Sequence, residues 1–472
     1  MTDYWLALDQ GGHAGRAIAF DRHGRVLARA TREVATAPPA PGHYEQDAEA
    51  VVASLEEPLA EVVGELGAAN CRGAGLATQR SSIACWDRHT GAPLGPMISW
   101  RDTRHADWLD ALGLDEPRLQ AITGLRASPH YGASKFRWCL DHLPAVRAAR
   151  DDGRLACGPL AGFLIARLTA EHRLLVDPGN AARTLLWDLT ARDWSGPLLE
   201  RFGLKAEWLP RPAPAGKPLG TLRLAPAIDL ALATGDQSAA LYAAGPPAAD
   251  QVYINAGTGA FALQLAAWPN AEERLLTTLV RDDPDRPVFA LEGTVNGAGA
   301  ALDAVAQSLG VPDWPAAIAG LPADAPAPVY LNGHSGLGSP WWVPRFASRW
   351  LDEATVPERL LGVLESIVFL LTTNVRRLAA HGAPQRGIVL GGGLSRAPAF
   401  GRRLADLTGL PVHIAPEREA TGLGLARLVA GAAMTPSEPA AEVTEPRPAA
   451  ALIARYARWL EAMTEATGFD PV

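Results

Sequence analysis

Nowhere in its 472 residues does the chain carry a run of about 18 uncharged apolar residues, so no membrane-spanning helix is expected. Its start, Met1-Thr2-Asp3-Tyr4, has neither a basic segment nor a long apolar one, which argues against an export signal. Basic excess is missing as well. With 43 Lys and Arg against 51 Asp and Glu, the formal charge is −8, which gives no footprint for nucleic acid or an anionic membrane. Cysteine is scarce: Cys71, Cys85, Cys139 and Cys157 lie far apart without C-x-x-C spacing, so neither a disulfide framework nor a zinc site is indicated. These absences predict a soluble, cytoplasmic protein whose partners are small molecules.

What is present is length and pattern. A single core stops growing beyond roughly 250 to 300 residues, so this chain is expected to form two or more domains. Tyr4–Asp9 reads as a strand, Gln10-Gly11-Gly12-His13 as a glycine turn, Gly15–Asp21 as a second strand and Val26–Ala28 as a third. A helix is predicted from about Asp47 to Leu66, then a strand over Gly73–Ala77. After the midpoint the opening recurs: strand Val252–Ala256, turn Gly257-Thr258-Gly259, strand Ala260–Leu265. That recurrence suggests two related lobes, 1–245 and 246–472, joined near Gly245-Pro246-Pro247-Ala248. Helical patterns cover Phe136–Arg150, Pro159–Leu168, Leu360–Leu378, Ala399–Leu407 and Leu452–Thr467, and Ile388–Leu390 is a strand running into Gly391-Gly392-Gly393. Pro436–Pro448, rich in Pro and Glu, reads as an irregular connection.

The chemistry centres on Ala233-Thr234-Gly235-Asp236-Gln237-Ser238, between a short strand at Ile228–Ala233 and helix formers from Ser238 to Ala244. A carboxylate at the end of such a strand can accept a proton from a hydroxyl, and it can equally cap the helix. Three glycine turns, at Gly11-Gly12, Gly257-Thr258-Gly259 and Gly391-Gly392-Gly393, expose backbone N–H groups that could hold a triphosphate. None is a Walker loop or a G-x-G-x-x-G. Asp9, ending an apolar strand at the first turn, suits a Mg²⁺ held mainly through water. Arg80, after a strand, is either a solvated arginine or a fork for substrate hydroxyls. Trp100 fits a core as well as a sugar platform, and His13 and His130 fit ordinary loops.

These stretches, with Gly42-His43-Tyr44-Glu45-Gln46-Asp47, Gln79-Arg80, Trp100 with Asp102, Lys135 with Trp138, Asn180-Ala181-Ala182-Arg183-Thr184, Gly235-Asp236-Gln237, Leu291-Glu292-Gly293 and Ser335-Gly336-Leu337-Gly338, occur in an order that resembles the FGGY carbohydrate kinase family across nearly the whole chain. The closest motif resemblance is to glycerol kinases. It implies an α/β fold of two actin-like (ribonuclease H-like) lobes around a central cleft, the first mainly binding substrate and the second mainly binding ATP. It also implies ATP- and Mg²⁺-dependent phosphorylation of a hydroxyl on a small polyol or ketose. By the same resemblance Asp236 is the general base, and Arg80, Ser81, Trp100, His130 and Gln237 line the acceptor site. Gly11, Gly12, His13, Arg16, Gly257, Thr258, Gly299, Asp303, Gly392 and Gly393 fall at nucleotide positions, and Asp9 at the metal position.

The departures bear on substrate choice. Ser81 stands where glycerol kinases carry Glu, and His130 where they carry Tyr. Gly12-His13 replaces a Thr-Thr pair, and Asp303 and Ala397 replace an amide pair. A kinase of four- or five-carbon sugars, such as a xylulokinase-like enzyme, is therefore a rival reading. A catalytically idle sugar sensor is another, against which Asp9 and Asp236 both argue. An actin-like ATPase chaperone would need a peptide-binding β domain that the sequence does not contain. Nucleic acid and membrane are not expected partners, and a homodimer is left open.

Overall fold

The computed structural model describes residues 2–213, 216–268, 274–283, 285–321, 325–415, 419–435 and 442–471. It divides into two compact units, the first Met1–Pro247, Thr278–Val288 and Glu417–Glu438, the second Ala248–Thr277, Phe289–Pro416 and Pro439–Val472.

In the first unit every residue of the strand Tyr4–Gln10 is buried, because the sheet is covered on both faces. Alternation divides the strand's side chains between them. Tyr4, Leu6 and Leu8 join a core with Val51, Val52, Leu55 and Leu59 of the helix Ala48–Leu66, whereas Trp5 and Ala7 pack with Leu423, Leu425 and Ala426 of the helix Ala420–Ala430. The six strands run in the order Gly220–Leu222, Ala225–Gly235, Cys71–Thr78, Tyr4–Gln10, Ala14–Phe20, Val26–Glu33. Tyr4–Gln10 is parallel to Cys71–Thr78, which is parallel to Ala225–Gly235; the other pairs are antiparallel.

The second large sheet repeats that plan. Its order is Leu276–Arg281, Val288–Val295, Ala260–Ala266, Gln251–Ala256, Gly387–Gly391, Val412–Ile414, Glu442–Thr444. Gln251–Ala256, like Tyr4–Gln10, pairs antiparallel with the strand that follows its glycine turn and parallel with a later one. Against this sheet lies the long helix Val356–His381, opened by a capping box between Thr355 and Glu358. Midway along it, Glu365 is buried and accepts from Arg403 at 3.0 Å and from Arg455 at 2.7 and 2.8 Å, tying together three helices. Removing one partner of a buried ion pair strands the others. Glu365→Gln is therefore expected to lower stability by about 3 to 5 kcal/mol, readable as a shift in the denaturant midpoint.

Several elements differ from the sequence reading. The helix expected over Phe136–Arg150 is two helices, Gly132–His142 and Pro144–Asp151, because Leu143 precedes a proline and is held extended at φ −96°, ψ 112°. The helix after the junction begins at Asp236 itself and ends at Ala240, short of the expected Ala244. Of the connection at Pro436–Pro448, residues 436–441 lie outside the described set, but Glu442–Thr444 forms an edge strand against Val412–Ile414 and is not irregular. All four cysteines are buried thiols.

Candidate active site

The three parallel strands of the first unit finish side by side. Thr78 is in register with Gln10 on one side and Gly235 on the other, so Asp9, the Gln79-Arg80 pair and Asp236 emerge at one sheet edge. Carboxyl ends of parallel strands are where open α/β sheets bind ligands. Sequence positions separated by more than 220 residues thus become neighbours.

Asp9 is 5% exposed and pairs with Arg16 at 3.5 Å; Arg16 also reaches Glu419 at 3.6 Å. Burial pushes the Asp9 carboxyl up to about 7, with Arg16 opposing the shift and the charges of Asp236 and Glu419 adding to it. Asp236 is raised too, chiefly by burial, and Arg80, the Gln237 amide and Arg183 hold it back. Its Oδ1 accepts from the Gln237 backbone at 2.7 Å, while its carbonyl accepts from Thr421 at 3.4 Å. Gly235, not Asp236, is the helix cap.

Of the other residues expected at the acceptor site, Arg80 and Gln237 lie beside Asp236. Arg80 is buried and donates to the Gln237 side chain, and its stem runs so close beneath Gly235 that a Cβ there would stand 2.7 Å from Arg80 Cγ and Cδ. Ser81 is buried in the left-handed region, φ 65°, and among the described residues its hydroxyl has no hydrogen-bond partner. Trp100 is half-buried and meets His130 edge-on, ring centroids 5.5 Å apart, so it is neither pure core nor isolated surface. Burial, then the charges of Lys135, Arg183 and Arg80, drive the His130 imidazole well below its usual range, so it is neutral at pH 7. A neutral ring offers one donor and one acceptor.

The first glycine turn is fixed by amides. Gln79 donates to Gln46 at 3.1 Å, and Gln46 donates to the Gly12 carbonyl at 3.1 Å. Gly11 closes the turn onto Ala14 at 3.0 Å. His13 is exposed at its tip.

The second unit brings its own predicted residues together. The Thr258 carbonyl accepts from Ala298 at 3.0 Å and Ala300 at 3.1 Å, and Gly299 donates to the Gly257 carbonyl at 2.8 Å, which locks the turn onto the N-terminus of the helix Gly299–Ser308. Gly392 has φ 88°, and a Cβ there would lie 2.5 Å from the Ala256 carbonyl; beside Gly393 there is open space. Asp303, one turn into the helix Gly299–Ser308, accepts from Trp314 Nε1 at 3.1 Å in a pocket shared with Gln307.

Some members were not assigned from sequence. Arg183, buried over the Tyr131 ring and donating to Thr278 at 3.2 Å, lies in the motif Asn180–Thr184, which by itself signals no role for it. Lys135 likewise carries only a motif resemblance in the sequence. Glu419 and Thr421, some 400 residues from Asp9, have no local signal at all.

Parallel strands ending in two acids and an arginine, a second sheet ending in glycine turns, and the shared strand order are the marks of an actin-like, ribonuclease H-like phosphotransferase. The chain belongs to the FGGY family of carbohydrate kinases: the family's N-terminal domain matches residues 4–236 and its C-terminal domain residues 252–433. It is 35% identical over 440 residues to a glycerol kinase of Trichlorobacter lovleyi, covering 90% of this chain and 88% of that protein. A glycerol kinase of Alkalilimnicola ehrlichii is 35% identical over 454 residues, 93% and 92% of the two chains. Among solved structures, the fold matches Plasmodium falciparum glycerol kinase with ADP at a TM-score of 0.87, 21% identity and 99% of each chain. It matches a xylulose kinase from Rhodospirillum rubrum at a TM-score of 0.84, 21% identity and 98% of each chain. The protein is thus a carbohydrate kinase. Among the described residues, no helix is long and apolar enough to cross a membrane.

Proposed function

We propose that the protein transfers the γ-phosphoryl group of ATP to a hydroxyl of a small polyol or ketose, with Asp236 as the general base. The observation that carries this reading is the common edge shared by Asp9, Arg80 and Asp236, where a half-buried carboxylate faces hydrogen-bonding side chains. Burial makes Asp236 a stronger base than a solvated carboxylate, and Arg80 and Arg183 oppose its neutralisation. Arg80, Gln237, Trp100, Ser81 and His130 would then orient the acceptor so that one hydroxyl meets Asp236. Orientation and charge placement supply most of the acceleration in such transfers.

On the metal side, Asp9 suits Mg²⁺, since its carboxyl is raised by burial and by two neighbouring acids, a field that a cation relieves. Mg²⁺ keeps several of its waters, so a single carboxylate and phosphate oxygens would suffice to hold it. When bound, Mg²⁺ would neutralise charge on the transferring group.

For the nucleotide we assign Gly11, Gly12, His13 and Arg16 in the first unit and Gly257, Thr258, Gly299, Asp303, Gly392 and Gly393 in the second. The cradle at Gly392 has no room for a Cβ, so Gly392→Ala is expected to raise the KM for ATP about tenfold while the acceptor KM stays nearly constant. The reading itself is tested by coupled ADP release with C3 to C7 polyols and ketoses. Release should require both Mg²⁺ and an acceptor; release indifferent to every acceptor would overturn it.

A further inference from the structure

Lys135 is fully buried, one turn into the helix Gly132–His142, and among the described residues its ammonium meets no carboxylate within hydrogen-bonding distance. It donates instead to three backbone carbonyls: His130 at 2.8 Å, Ser99 at 2.9 Å and Ser81 at 3.4 Å. Those carbonyls belong to three separate segments of chain. Each carries, at the same residue or the next, one wall of the proposed acceptor pocket: Ser81, Trp100 and His130.

The placement is costly. A cation near a helix N-terminus opposes the helix dipole, and burial of the ammonium pulls its pKa down to about 7, with Asp102 resisting and Arg104 assisting the fall. An apolar side chain of equal length would fill the space without either cost. Composition sharpens the point: the chain has only three lysines, and the other two, Lys205 and Lys217, are exposed. In so arginine-rich a sequence this buried position nonetheless holds a compact, tetrahedral donor, which can meet three converging carbonyls as a planar guanidinium cannot. Ser81 takes a left-handed conformation, φ 65°, that L-residues adopt at a cost, and its carbonyl is turned toward the ammonium.

From this geometry we infer that Lys135 is the positioning residue of the acceptor pocket, its ammonium fixing the separation of the Ser81, Trp100 and His130 segments and so the width available to the acceptor. The inference rests on the reading of that pocket as the acceptor site. It acts through other residues and touches no reacting atom.

The test is steady-state kinetics of Lys135→Met, Lys135→Gln and Lys135→Arg beside the unaltered enzyme, with melting temperature and ATP-induced thermal shift measured on each. Lys135→Met should raise the acceptor KM about tenfold or more, with the KM for ATP and kcat at saturating acceptor within about threefold. Its relative kcat/KM for acceptors of different chain length should also flatten. Lys135→Gln, which keeps two donors, should fall between, and Lys135→Arg should fail to restore the acceptor KM. If Lys135→Met does not fold, Lys135→Gln decides. An acceptor KM and length preference unchanged in the folded variants overturns the inference, as does a parallel rise in both KM values. If the unaltered enzyme releases ADP with no acceptor at all, it is the acceptor-site reading that falls.

Discussion

Asp236→Asn should slow phosphoryl transfer by about 10²- to 10⁴-fold while leaving nucleotide affinity nearly unchanged. The amide preserves shape and can still accept from the Gln237 backbone, which the carboxylate now does at 2.7 Å. What it cannot do is take the hydroxyl proton. Because Arg80 and Arg183 flank the position, loss of the negative charge also leaves two guanidiniums less balanced, so acceptor affinity should move modestly rather than vanish. A single-turnover experiment separates the chemical step from product release. If the Asn variant retained more than about a tenth of the unaltered rate in that step, Asp236 would not be the base.

Glycerol is expected to be a poor acceptor despite the 35% identity to glycerol kinases. Ser81 is too short to reach where a glutamate carboxylate would stand, and its buried hydroxyl has no partner among the described residues. Losing one charged hydrogen bond costs roughly 1.5 to 3 kcal/mol, or about 10- to 150-fold in binding. On the opposite wall His130 is shorter than a tyrosine and carries a neutral ring, held against Trp100 at 5.5 Å. A longer polyol or ketose could fill the added space and bond to the ring nitrogen and the Ser81 hydroxyl. The expected outcome is a higher kcat/KM for tetritols, pentitols or pentuloses than for glycerol, and a gain on glycerol in the Ser81→Glu/His130→Tyr double variant. Glycerol as the best substrate of the unaltered chain would refute the assignment of those two positions. No gain in the double variant would assign the choice to other residues.

Much of this could be read from sequence because the relevant signals are local. Tyr4–Gln10 and Gln251–Ala256 announce themselves as apolar strands stopped by glycines, and Asp9 and Asp236 are the acids at strand ends. Features that failed to show depend on partners remote in the chain. The break at Pro144 is local, yet the helical periodicity on either side concealed it, since both segments turn apolar faces inward. Glu442–Thr444 becomes a strand only because Val412–Ile414 offers an open edge. Glu419 raises Asp9 and pairs with Arg16 through the packing of Ala420–Ala430 on the first unit's sheet, and nothing near Glu419 in sequence signals that. Lys135 was visible as a residue but not as a tie, because its three carbonyl partners are backbone atoms of 81, 99 and 130 and carry no side-chain signature.

The central claim is transfer from ATP to an acceptor hydroxyl at the strand edge that holds Asp236. Its most direct measurement follows the label of γ-³²P-ATP with purified enzyme, Mg²⁺ and the best acceptor of the C3 to C7 series, with the phosphorylated carbon located by NMR. The account predicts that label leaves ATP only when acceptor is present, appears on one hydroxyl of it, and does so at least about 100-fold more slowly in Asp236→Asn. Label released as inorganic phosphate regardless of acceptor, or transfer that the Asn variant carries out at the unaltered rate, would contradict it.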